Sequence, residues 1–233
     1  EASENFNEAI LRSENMNDFT SLGMCHRGLG LIYLDQGKWS LAQKEFKQAN
    51  KYHKKAEHTT AFEATSVFLG MTYFFEEKYD KAKELIDKAV MITQRRRDVS
   101  FYDTSARAAK ILLSSKINEI EESDIDDFCD ILIESSKVKQ INRELYYASQ
   151  AYLNIGIQKK ADKYQKMCRE GLLLDSEKIS AKELREGYLN KSLHKNMLNE
   201  KAVSFIQFEN SENKKVSNKV EINIDDIKSL SHY

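Results

Sequence analysis

At 233 residues, with 36 basic and 37 acidic side chains and a net charge of -1, the chain has no overall field to draw it to nucleic acid or an anionic membrane. No apolar run approaches the roughly 18 residues of a membrane-spanning helix. Three cysteines, Cys25, Cys129 and Cys168, without CxxC or Cys/His spacing argue against a disulfide framework or a zinc site, and are read as small packing residues in a reducing compartment.

Residues 1–16 read as a helix with Ala2, Phe6, Ala9 and Ile10 on one face. Ala2, Phe6 and Ala9 stand forty residues before Ala42, Phe46 and Ala49, so this is the second helix of a pair whose first is missing. The chain is accordingly expected to be a piece of a longer protein. Asn17 or Asp18 then caps a helix over about 19–35 carrying Leu22, His26, Leu29, Gly30 and Tyr33, and after a turn at Gly37 a second helix spans about 39–55. The pattern repeats: Leu29/Leu69, Gly30/Gly70, Tyr33/Tyr73, Trp39/Tyr79, Ala42/Ala82, Phe46/Ile86 and Ala49/Ala89 are each separated by forty positions. A fixed period of this size is the mark of stacked helical units that bury their apolar faces on one another. The units run over 19–55 and 59–96, with helices at about 59–76 and 79–95. Gly30 is expected to admit its paired helix closely, whereas Gly23 is expected to lie outside that contact and to tolerate a larger residue.

A third unit over 101–138 is degenerate, with Lys110 where Gly70 predicts glycine, while Ala109 and Leu113 keep the apolar positions. Its second helix opens on Ser123 or Asp124 as cap, with acids in the first turn. A fourth unit over 141–174 returns at Leu145, Ala148, Tyr152, Gly156, Ala161, Tyr164 and Cys168. From Asp175 the period stops. Ser180-Ala-Lys-Glu183 reads as a capping box opening one terminal helix within 176–199, with Leu184, Tyr188, Leu189, Leu193, Met197 and Leu198. Over 200–233 a Ser/Asn/Lys-rich stretch separates strand-like Val203–Phe208 from Val220–Ile224, which either pair as a hairpin or form a linker tail or the start of a further domain.

Leu29-Gly30, Tyr33, Gly37, Trp39, Ala42, Phe46 and Ala49 resemble the tetratricopeptide repeat (TPR), and the second unit does so with Glu77 at the turn glycine. The chain departs from that family in having no Pro and in a period of forty, where about thirty-four is usual. The resemblance implies an all-α fold, a right-handed superhelix of antiparallel helix pairs over 1–175. Leu184–Asn190 with Leu193 and His194 weakly resembles the segment that closes TPR arrays in large bacterial signalling ATPases, kinases and cyclases. A non-catalytic interaction module of a cytoplasmic bacterial signalling protein is the function this implies.

In that family the first helices of successive units line a concave groove, at fixed offsets from the Gly30 position. Those offsets select Met24, Arg27, Leu31 and Leu34, then Val67, Met71, Phe74 and Phe75, then Arg107, Ile111, Arg143, Tyr146 and Gln150. The stripe is apolar with three arginines. It lacks the Lys and Asn with which TPR domains clamp a chaperone's terminal carboxylate, so that mode is disfavoured. Apolar side chains left in water cost ~25 cal/mol per Å², so either a peptide, a partner helix or another domain of the same chain covers them, or they pack on one another. A ligand-gated sensor and a structural or homo-oligomerising spacer are the alternative functions.

Catalytic, cofactor and metal motifs are absent from the reading: there is no phosphate-binding glycine loop, HExxH, GxSxG or CxxC pair, so the segment is not expected to be an enzyme. His26, His53, His58, His194 and His232 are scattered, and His53 and His58, near a helix end, are expected to face solvent. The acidic run Glu121–Asp127 is read as a helix start, and Arg95-Arg96-Arg97 as basic residues closing one. Expected partners are therefore proteins or peptides, not nucleic acid or membrane.

Overall fold

The structure is a computed structural model that describes residues 2–95, 101–136 and 141–203. Arg96, Arg97 and the strand-like segments beyond Val203 lie outside them. Among the described residues there are eleven helices and no strand: α1 Ala2–Asn15, α2 Phe19–Asp35, α3 Trp39–Lys55, α4 Thr59–Phe75, α5 Tyr79–Arg95, α6 Phe101–Lys116, α7 Glu122–Ser136, α8 Asn142–Asn154, α9 Gln158–Glu177, α10 Lys182–Leu189 and α11 Ser192–Met197. None is long and apolar enough to cross a membrane.

The first five helices keep a beat of twenty residues that the forty-residue period conceals. Helices α2 to α5 are each 17 residues long. The residues with positive φ, Asn17, Gly37, Glu57 and Glu77, recur every twenty positions. Each makes the same helix stop. The N–H after it donates to the carbonyl five residues back, as Lys38 does to Tyr33 and Lys78 to Tyr73, both at 2.9 Å. The left-handed residue's own N–H donates three back, as Gly37 does to Leu34 and Glu77 to Phe74. This is the Schellman arrangement, which satisfies carbonyls that a helix end leaves over. The same pair of bonds follows α8 at Gly156, whose φ is 82°.

The starts are also built locally. Asp18, immediately after the left-handed Asn17, accepts from the Ser21 N–H at 3.0 Å, and His58 Nδ1 does the same for Ala61 at 3.4 Å. Ahead of α7 the capping group is not Ser123: the helix begins at Glu122, and Asp124 reaches back to the Glu121 N–H at 3.2 Å. Nor does the capping box at Ser180 form, because the residue preceding α10 is Ala181, which has no side-chain acceptor. The terminal element is two short helices rather than one, broken at Asn190 and Lys191.

Packing follows the periodic positions. A Cβ on Gly30 would stand 2.5 Å from the Phe46 ring, and one on Gly70 2.8 Å from Ile86, so the glycines let the paired helix approach at equivalent places. Gly23 is not the tolerant site expected of it: a Cβ there would lie 2.4 Å from His53 Nδ1. Helix α4 is apolar around its whole circumference and buried to match. Its hydroxyls turn inward, with Thr65 donating to Ala61 O and Thr72 to Leu69 O, each at 2.7 Å. Successive helices pack together from α1 to α6 and from α6 to α9, and α2, α4, α6 and α8 also touch one another in series. A continuous core runs from Val67 to Ala202, with Leu34, Ala42, Phe46, Phe68 and Leu69 forming a second cluster. Helices α10 and α11 lie on α9, and α11 also reaches α2.

Candidate interaction surface

The thirteen candidate residues lie on α2, α4, α6 and α8, and the structure divides them. Leu34, Val67, Met71, Phe74, Tyr146 and Gln150 are buried, Met71 to 1% exposure. They fill the space between helices, and the Gln150 side-chain nitrogen is buried without a hydrogen-bond partner among the described residues. Arg27, Leu31, Phe75, Arg107, Ile111 and Arg143 are half-buried. Phe75 lies flat on Trp39 at 4.6 Å between centroids. Met24 alone of the set is well exposed, at 41%.

Spacing explains the split. Met24, Arg27, Leu31 and Asp35 fall at helical intervals along one side of α2. The Met24 end of this stripe is open, whereas the Asp35 end, about 16 Å further along by the rise of an α-helix, is covered. There the Asp35 carboxylate, only 8% exposed, accepts from Arg143 Nη2 at 3.1 Å and from Lys191 Nζ at 3.4 Å. One cation comes from the start of α8 and the other from the α10–α11 break, so α2, α8 and the α10–α11 pair meet at one acid. The Arg143 guanidinium also lies 5.8 Å from the Phe68 ring centroid, which adds a cation–π contact. Beside them is a cavity of about 200 Å³ lined by Glu144, Asp175, Tyr188 and His194 among others.

Candidate reactive groups are spent on structure. Cys25, Cys129 and Cys168 are buried, and burial pushes each thiol up from its usual range, away from the reactive thiolate. The Cys168 thiol donates to Asn142 O at 3.1 Å. Tyr152 donates to Asp126 at 2.6 Å, and Lys160 grips the same carboxylate; these bonds hold Asp126 below the ordinary carboxylate range. His53 departs from the expectation of a solvated histidine, whereas His58 is exposed as expected. His53 is fully buried with both ring nitrogens unpartnered among the described residues, and His58 serves as the α4 cap. The sign was in the sequence, because Ala42, Phe46, Ala49 and His53 continue one apolar face. Asp35 was missed altogether, since a lone acid at a helix end carries no pattern. Among the described residues no three His, Cys, Asp or Glu converge to hold a metal ion.

No protein-family model and no curated protein matches the chain.

Proposed function

We propose that this chain is a non-catalytic interaction module of the TPR type, a superhelix of antiparallel helix pairs whose inner face binds a peptide or helix of a partner. Support for the family comes from the forty-residue pairing of Gly30 with Phe46 and Gly70 with Ile86, and from the shared helix stops. One observation carries the functional reading: Met24 stands exposed on the α2 face, beside Arg27 and Leu31, in line with a seat that a helix of the same chain already occupies. An apolar residue flanked by a cation suits an amphipathic helix bearing acids near its apolar stripe. A bacterial cytoplasmic signalling protein is the parent this reading assigns.

The burial of Met71, Phe74 and Tyr146 favours a second reading, a self-filled structural spacer. The two are separated by affinity recovery from cells with the unaltered chain, a Met24→Glu variant, and a Leu41→Glu control on α3, where Leu41 is equally exposed at 44%. The interaction reading expects defined proteins to be lost with Met24→Glu and kept with Leu41→Glu. Identical recovery from all three overturns it in favour of the spacer.

A further inference from the structure

We propose that the seat now filled by α10–α11 is a docking site for a basic amphipathic segment made of two short helices joined by a break, and that α10–α11 of the chain itself are its resident, displaceable occupant. This assignment rests on the reading of the α2 face as an interaction surface and specifies the chemistry of what binds at its far end.

The occupant defines the complement. Its anchors are Leu189, which closes α10, and Leu193 and Met197, four apart on α11, all three buried. Two positions after the first anchor comes Lys191, which delivers a cation to Asp35. The receiving side is otherwise tolerant of sequence. The Gln165 amide donates to the main-chain carbonyls of Asn196, Met197 and Asn199 at 2.8, 3.0 and 3.3 Å, contacts that any helix end could accept. Asp35 supplies the discrimination, since a buried carboxylate repels an acid and rewards a base.

The link that leads into the occupant is exposed. Lys178, Ser180, Ala181 and Lys182 are exposed, and α10 starts without a side-chain cap. Leu184 on α10 is 58% exposed, so that helix contributes little to the seat beyond Tyr188 and Leu189. A competitor therefore needs an apolar residue closing one short helix, an extended Lys or Arg two positions on, and two apolar residues four apart on the helix that follows.

The test uses the whole chain and, as probe, a labelled synthetic peptide of residues 181–203. In a Leu193→Ala/Met197→Ala chain, hydrogen exchange should accelerate at least about tenfold in α10 and α11 while α2 to α9 stay protected. That chain should bind the peptide, and the unaltered chain should bind it at least about tenfold more weakly, because its own segment competes. A peptide carrying Lys191→Glu should also bind the opened chain at least about tenfold more weakly. A Lys191→Glu full chain, which keeps every apolar anchor, should show the same local acceleration. Loss of protection throughout both variants, failure of the peptide to bind, or equal binding by the Lys191→Glu peptide each overturns the proposal. The peptide reads the Asp35 end and the recovery experiment reads Met24, so either can fail while the other stands.

Discussion

At Glu57 and Glu77 the backbone takes the left-handed conformation, with φ of 54° and 60°, that Gly37 adopts at the same place in the repeat. A side chain there crowds its own carbonyl at a cost of about 1 kcal/mol, so Glu77→Gly should raise the free energy of unfolding by about that amount. Urea unfolding would show it, and Glu76→Gly, one residue earlier at φ -88°, should not stabilise the fold. His53 sets a pH dependence. Burial above all, with Arg27 and His58 nearby, lowers its pKa to about 4, against about 6.5 in the unfolded chain. The unfolded state therefore takes up the proton first. The neutral ring's contribution is complete above about pH 6.5 and is lost as the pH falls toward 4, a decline of about 1–3 kcal/mol. His194, lowered mainly by burial, acts in the same direction. Unfolding measured at pH 7 and pH 5 should show a smaller difference in His53→Leu than in the unaltered chain; equal differences would acquit His53.

Among the elements, α10 is one of those that start without a side-chain cap, as α3, α8, α9 and α11 also do. Ala181 has the extended backbone of an N-cap, φ -76° and ψ 118°, but no group to accept a bond. Ala181→Asp should supply one and strengthen α10 by about 1 kcal/mol, visible as slower amide exchange in α10 with little change in α2 to α5. The helices on either side of Gly37 and Glu77 were legible because Asp18, Gly37, Trp39 and Tyr79 mark their ends and the apolar positions repeat. Their observed bounds agree within a residue with those read from the sequence. The twenty-residue beat was not legible, since Glu57 gives no sign that its backbone is left-handed, and Glu77 is marked only by standing forty residues after Gly37. The break at Asn190 was hidden for the opposite reason: Leu189, Leu193 and Met197 keep helical spacing straight across it. Within the candidate surface, the sequence identifies an apolar α4 but not which side of it meets water. On a helix apolar all round, Met71 and Phe74 look alike whether they face a groove or a neighbour.

On the scale of the molecule, neighbour-to-neighbour packing alone would let stability fall off toward the ends, as in any linear array of units. The shared carboxylate of Asp35 adds contacts across 108 and 156 positions of sequence, so the first full pair and the last helices are not energetically independent. The short links between α1 and α5 leave no slack either, because their N–H groups are engaged in the helix stops. A protease must draw several residues of backbone into an extended form before it can cut. Lys38 and Lys78, although exposed and set in such links, should therefore resist trypsin at concentrations that cleave at Lys178 or Lys182, where the chain passes from α9 to α10. Early fragments ending at Lys38 or Lys78 would contradict this. If the expected order holds, the link between α9 and α10 opens before those that join α2 to α3 and α4 to α5.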